Sequence, residues 1–392
     1  MNSLAVRILT GLATFIVGVA VATALVFNHR SPQIAPVSLA NNDRTLEMVF
    51  VLDTTGSMGG LIDGAKQRIW GIVNDVMQSS SHPSVKIGLV AYRDRGDEYV
   101  TQVLPLTEDL DKVYTTLMNY NAAGGGDTAE NVRRALADAL AKAGWSNGGR
   151  NVARVIFLVG DAPPHNDYTD EPDTIVSAAL ARKQGMIINT IQCGVDAETQ
   201  KVWQTIAQYG HGQYFAIPQN GGVQTISTPY DERISELGTK LGGSYVAYGG
   251  GAGEAGVRYR LEAAQNVDMV EKQVTFSAKA EARAQRSLNK AINPKAYIGD
   301  LLQDIENGTT KLESVKDEDL PSDLSGLSPA DRVKEIDRRL AERREIRQQI
   351  LELSKQRAEY IAGEQKKRNG GQQNSFDLAV SAALKEQMER KQ

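Results

Sequence analysis

Phe50-Val51-Leu52-Asp53-Thr54-Thr55-Gly56-Ser57-Met58 decides the fold. An apolar run ends on a carboxylate, a glycine turns the chain, and a helical period starts at once. Met58, Leu61, Ala65, Ile69, Ile72 and Val76 fall on one face of that helix. An unbroken apolar run of this kind is what a parallel strand covered on both faces requires. Asp53, Thr55 and Ser57 alternate beyond the strand and can converge on one side of the loop, offering one carboxylate and two hydroxyls. Magnesium and similar hard cations take oxygen ligands in an octahedron and keep some waters. Two neutral hydroxyls leave such an ion short of negative charge and open to a further carboxylate.

Outward from this stretch the same unit repeats. Short apolar runs at Leu46–Leu52, Val85–Tyr92, Val152–Val159, Met186–Ile191 and Tyr214–Ile217 end in or near Gly or Asp. Helical periods lie between them, one carrying Val132, Ala135, Leu136, Ala139 and Ala143 on a single face. The alternation predicts an α/β domain over 46–245: a Rossmann-like, open, mostly parallel sheet with helices on both faces. Such sheets place their sites at the carboxyl ends of the strands.

Two more strand ends carry polar loops. Gly124-Gly125-Gly126-Asp127-Thr128-Ala129-Glu130 precedes an amphipathic helix, and Val159-Gly160-Asp161-Ala162-Pro163-Pro164-His165 follows the strand at 152–159. Together with Asp53-x-Thr55-x-Ser57 these loops resemble the metal-ion-dependent adhesion site of von Willebrand factor A domains, over about half the chain. The resemblance implies magnesium or manganese held by Asp53, Thr55, Ser57, a second-loop ligand and Asp161, the last directly or through water. The Asp-x-x-Glu spacing is similar to the second loop of integrin β subunits, where the Glu joins the adhesion-site ion and the Asp serves a neighbouring cation. Glu130 is then the second-loop ligand, with Asp127 and Thr128 as alternatives, because many family members use a threonine there. Thr55 stands where the family more often has Ser. No adjacent acidic pair follows Met58, which the second, adjacent integrin-type site would need. The implied function is capture of a protein partner through its Asp or Glu carboxylate, without catalysis. As isolated residues, Asp53 and Asp161 would simply cap helices.

Two other function classes compete. Asp53 after an apolar strand could be the nucleophile of a haloacid-dehalogenase-like phosphohydrolase, but the general acid expected two residues on is replaced by Thr55. Alternatively, a structural protein could act through its C-terminal tail. An aspartic-protease reading of Asp-Thr-Thr-Gly-Ser fails because the motif occurs once and that mechanism needs two carboxylates. Gly251-x-Gly253-x-x-Gly256 spells a dinucleotide fingerprint but lies after the sheet has ended, where a linker is the better reading. Arg95-Gly96-Asp97 reads as a chance tripeptide in a loop. The four histidines, His29, His82, His165 and His211, lack metal-ligand spacing, and only His165 falls near the proposed site. Trp70, Trp145 and Trp203 read as packing residues.

Composition bounds the rest. The 392 residues carry a net charge of -4, which gives no basic signature for nucleic acid. The single cysteine, Cys193, excludes an intramolecular disulfide and reads as a buried thiol. Ile8 to Phe27 is free of charge and long enough to cross a bilayer. Residues 1–30 are therefore expected to be a membrane anchor, or a signal segment cut near Ser38-Leu39-Ala40. Either places the main domain outside the cytoplasm, periplasmic or on the cell surface, and secreted if the segment is cut. Residues 31–45 read as a polar linker and 246–256 as a glycine-rich hinge. Residues 257–392 read as a mainly helical extension in which Ser328-Pro329 starts a helix. Its period slips between Leu340 and Ile346, which predicts a helical hairpin or an imperfect coiled coil. Self-association through this tail is a further expectation, set against a plainly solvated face.

Overall fold

The computed structural model describes residues 44–79, 83–223, 225–367 and 375–389. The apolar segment Ile8–Phe27 lies outside these residues. Among those described, no helix is long and apolar enough to cross a membrane.

Six strands form one sheet: β1 (Thr45–Asp53), β2 (Ser84–Tyr92), β3 (Thr101–Thr107), β4 (Val152–Gly160), β5 (Ile187–Cys193) and β6 (His211–Ile217). Their order is β3-β2-β1-β4-β5-β6, parallel throughout except for the antiparallel edge strand β3. The sequence expectation omitted β3 because Thr101-Gln102-Val103-Leu104-Pro105-Leu106-Thr107 is polar and contains a proline. An edge strand tolerates both, since one side of its backbone needs no partner. The chain reverses order between β1 and β4, and the three polar loops meet there.

Each central strand is buried on both faces, as its unbroken apolar run demands. Met48, Phe50 and Leu52 of β1 enter one core, and Val49 and Val51 enter the other. The helices are α1 (Gly59–Met77), α2 (Leu110–Met118), α3 (Val132–Lys142), α4 (Thr174–Lys183), α5 (Ala197–Tyr209) and α6 (Asp231–Gly242). They continue with α7 (Gly253–Ser277), α8 (Ala280–Ile292), α9 (Leu301–Glu306), α10 (Ser322–Ser325), α11 (Pro329–Lys367) and α12 (Phe376–Glu389). α1 and α2 cover the first core; α3, α4 and α5 cover the second. Asp109, Asn131, Asp173 and Asp196 cap α2 to α5 by accepting a backbone N–H of the first turn.

The extension does not stand apart from this unit. Phe376, Ala379, Val380, Ala383 and Leu384 of α12 are buried in the first core, with the Phe376 ring 6.0 Å from that of Phe50. Gln387 of α12 donates to Asn189 of β5 at 2.8 Å. α8 lies on α1, where Asn74 donates to the Gln285 carbonyl at 2.8 Å. Arg286 joins Asp111 of α2 to Glu271 of α7 at 2.7–2.9 Å, with the arginine almost wholly buried. The domain limit expected at 245 therefore separates the sheet from part of its own core. A helix 130 residues downstream carried no signal of what it would cover.

The glycine stretch read as a hinge is hydrogen-bonded along its length. Val246 donates to the Asp300 carboxylate at 3.0 Å, and Gly249 and Gly251 donate to Asp319 at 2.8 Å. The predicted start at Ser328 is present, its hydroxyl accepting from Asp331 N at 3.2 Å. The predicted hairpin is not: α11 is one continuous helix of 39 residues. Its period slips because it changes partners. Ile336 and Leu340 pack with Leu301, Leu302, Leu320 and Leu324, whereas Ile346, Ile350 and Leu353 pack with α6. Arg343 sits at the handover, fully buried and ion-paired with Asp300.

Because α12 closes a core rather than decorating it, Phe376→Ala should act as a large-to-small core substitution. The expected cost is about 3 kcal/mol, read as a lower urea midpoint of the full chain. An unchanged midpoint would mean that α12 does not contribute to the fold's stability.

Candidate metal centre

The first loop is built by β1 and its turn into α1. Asp53 ends the strand and is fully buried. Its Oδ1 accepts from Thr55 N at 2.8 Å and from the Thr55 hydroxyl at 2.6 Å. Its Oδ2 is buried with no partner. Gly160 lets β4 approach so closely: a Cβ there would lie 3.0 Å from Asp53 Cβ and 3.1 Å from Oδ2. Thr55 is buried and Ser57 exposed, so the alternation places one hydroxyl against the carboxylate and the other at the mouth.

The second loop is laced to the first by backbone. Gly56 N donates to Gly124 O at 3.2 Å and Ala123 N to Thr54 O at 3.1 Å. Gly124 and Gly125 have φ of 78° and 83°, which side chains resist. A Cβ on Gly125 would stand 3.2 Å from Glu130 Oε1 and 3.4 Å from Thr55 Cβ, so the bare glycine marks where Glu130 approaches the first loop. Glu130 is 3% exposed, and its Oε2 has no partner. Its backbone bonds the third loop, N to Pro163 O at 3.0 Å and O from His165 N at 3.2 Å. Asp161 follows β4, and its Oδ2 accepts from Gln219 Nε2 at 2.5 Å.

The other two second-loop candidates lie elsewhere. Thr128 is exposed. Asp127 is 62% exposed and stands 3.4 Å from His165 Nε2, which is also 3.2 Å from Asp94. Asp94, Asp127 and His165 offer ligand atoms within 4.8 Å of one another, a spacing that among the described residues the Asp53, Glu130 and Asp161 carboxylates do not reach as a trio. His165 also contacts Asp167 at 3.0 Å through Nδ1. Burial alone would lower the imidazole pKa, but the Asp167 hydrogen bond and the charges of Asp94 and Asp127 raise it. The imidazole thus lies among three carboxylates, Asp94, Asp127 and Asp167, that favour its protonated form. Among the described histidines it is the one that sequence proximity singled out, and it stands among these carboxylates rather than beside Asp53.

The loop that carries the Arg95-Gly96-Asp97 tripeptide supports the site. The Asp97 carboxylate accepts from Gly125 N at 3.1 Å and Asp94 N at 3.2 Å, holding the glycine loop. Arg93 is buried, donating to Thr54 O at 3.1 Å and Asn121 O at 2.8 Å. Arg95 lies 3.9 Å over the Tyr168 ring and pairs with Asp170 and Glu171. Three charged residues on loops are ordinary in sequence, so nothing marked them as scaffolding. Gln219, on the far side of β6, also carried no signal.

Electrostatically the centre is overloaded with negative charge. Burial pushes the Asp53 carboxyl up to about 7, against the Thr55 hydrogen bonds that pull it down, and the Asp161 charge adds to the rise. Burial pushes Glu130 up to about 9, helped by Asp53, Asp94, Asp97 and Asp161. Folded carboxyls with raised pKa bind protons that the unfolded chain has lost. Stability is complete below about pH 4 in this respect and falls as pH rises towards the folded values. In chelator, the full chain should lose on the order of 1 kcal/mol per pH unit between pH 5 and 8. Glu130→Gln should flatten that slope in urea titrations, and an equally steep slope in the variant would dissociate Glu130 from it.

A family model described as the von Willebrand factor A domain matches residues 47–229. Among curated proteins the chain is similar to an ariadne-like RING finger protein of Acanthamoeba polyphaga mimivirus. The two are 25% identical over 126 residues, 32% of this chain and 12% of that protein, so the chain spans only a small part of that relative. Among solved structures it is similar to the conserved hypothetical protein BatB from Bacteroides thetaiotaomicron, at 17% identity and a TM-score of 0.33, covering 45% of this chain and 90% of that one. It is also similar to the SpRpn10 VWA domain, at 17% identity and a TM-score of 0.34, covering 45% and 88%. Domains of this family are in general protein-interaction or adhesion modules and not enzymes. With its strand order, its covered sheet and its matched segment, the α/β part of this chain, residues 47–229, belongs to the von Willebrand factor A domain family.

Proposed function

We propose that this chain is a metal-dependent protein-capture module. One observation carries the reading: Asp53 Oδ2 and Glu130 Oε2 are buried without partners where the three loops meet. A buried carboxylate without a donor or a cation is costly, and a divalent cation would satisfy both oxygens. Asp53, Thr55, Ser57, Glu130 and Asp161 would hold magnesium or manganese. When bound, the ion supplies an open electrophilic position for an Asp or Glu carboxylate of a partner protein.

The residues themselves do the rest. Thr55 fixes the Asp53 carboxylate through Oδ1 and leaves Oδ2 free. Gly125 and Gly160 let Glu130 and β4 close in. Asp97 holds the glycine loop from outside. The phosphohydrolase alternative has Thr55 where its general-acid aspartate should stand, and the Thr55 hydroxyl is held as a hydrogen-bond donor to Asp53. We place the module outside the cytoplasm, on a membrane anchor formed by Ile8–Phe27, and regard self-association through the extension as secondary.

Titration calorimetry on the full chain in mild detergent should find one magnesium or manganese ion bound at this centre. Asp53→Ala should lose it, and capture of acidic partners should vanish with chelator. Binding that survives Asp53→Ala would put the ion elsewhere, at Asp94, Asp127 and His165 in the first instance.

A further inference from the structure

Gln219 touches the centre without belonging to any of its three loops. β6 ends at Ile217 and the chain turns at once, with Gly221 N donating to Pro218 O at 2.8 Å. From this turn the Gln219 side chain reaches back. Its Nε2 donates to Asp161 Oδ2 at 2.5 Å and lies 3.5 Å from the Ser57 carbonyl. It spans the third loop and the first.

The surroundings are shaped for that reach. Gly194, at the end of β5, has φ of 85°, and a Cβ there would overlap the Gln219 amide oxygen. Gly194 N donates to Ile217 O at 2.9 Å, holding the two strand ends together. The next residue, Asn220, presses on the start of α1: a Cβ on Gly60 would meet Asn220 Cβ at 2.9 Å. Asn220 Oδ1 accepts from Gly222 N at 3.1 Å, and Gly221 O accepts from Phe376 N at 2.9 Å. The turn is thus fastened to α1, to β5 and to α12, and the exposed Gln219 side chain is presented from a fixed backbone.

We infer that Gln219 is an internal stand-in for the cation, an amide that occupies Oδ2 of Asp161 and yields that oxygen when an ion takes it; this rests on the cation-site reading above, with Asp161 as a direct ligand. A charge-assisted hydrogen bond is about twice as strong as a neutral one, so it competes measurably. The amide lends Asp161 a donor without delivering a charge, so it stabilises the metal-free centre only. Asp53 Oδ2 and Glu130 Oε2 have no such substitute. Gln219 therefore sets how tightly the centre takes an ion and is a positioning residue, not a ligand.

The test is magnesium calorimetry on the full chain in mild detergent, beside Gln219→Ala and Gln219→Met. The side chain is exposed, so both variants should fold, and the second keeps the length without the donor. Loss of one charge-assisted hydrogen bond from the metal-free state should tighten binding by about tenfold in both. In chelator, the urea midpoint of the variants should fall, so that tighter binding and lost metal-free stability appear together; a level midpoint would overturn the stand-in role. Wild-type binding with equal or weaker binding by the variants overturns the role of Gln219 and leaves the site itself standing. Binding by the variants alone supports it in its strongest form. Failure of all three chains to bind overturns the cation site and this inference with it.

Discussion

The structure turns on one constraint, a carboxylate fully buried at the carboxyl end of the central strand. Asp53 can be there only because Thr55 satisfies one oxygen and β4 closes over the other at a glycine. Burying a second carboxylate, Glu130, and placing a third, Asp161, beside it raises the electrostatic cost rather than relieving it. A fold that concentrates like charge at its switch point has two ways to keep it: protons, or a counter-ion. The surrounding scaffold serves that concentration. Backbone hydrogen bonds tie the glycine loop to the first, Asp97 holds it from behind, and Arg93 braces the strand end beneath.

Much of this was legible in the sequence because it is written in periodicity. All six apolar positions read on the first helical face, Met58 to Val76, are buried, as are the five from Val132 to Ala143. The parallel strands follow their apolar runs within a few residues. What escaped has a common cause: partners far along the chain. β3 is polar because an edge strand can be. α12 is ordinary amphipathic sequence whose partner core is built by β1, α1 and other elements far upstream. The slip in α11 reads as a break in a lone helix, and as a handover once α6 and α9 are known to flank it. For the site, the acidic and hydroxyl residues were visible as motifs, whereas the residues that hold them, Arg93, Asp97 and Gln219, have no pattern of their own.

The extension and the α/β unit share structure in a way that their compositions conceal. Residues 257–367 are strongly polar, yet Arg286, Lys290, Arg343 and Arg357 are nearly buried and each is paired with a carboxylate. Buried pairs of this kind add little net stability, but losing one partner leaves an uncompensated charge. They therefore fix geometry more than they add strength: Arg286 and Lys290 set the extension against α2, and Arg357 sets α11 against α6 through Asp231. The charge count that marks this region as a solvated face is thus partly a count of internal pairs.

The same reasoning separates the three candidates for the second-loop position. Asp127 belongs to a cluster around His165, whose imidazole faces Asp94 and Asp127 through one nitrogen and Asp167 through the other. Asp127 is largely solvated, so water already stabilises its charge. Thr128 is exposed. Glu130 alone among the three is buried, lacks a partner for one oxygen and feels the charges of both Asp53 and Asp161. A cation goes where negative charge is buried and unpaid, not where acidic residues are merely frequent. On that ground Glu130 is the second-loop residue in our proposed cation site beside Asp53, and the His165 cluster is a separate group.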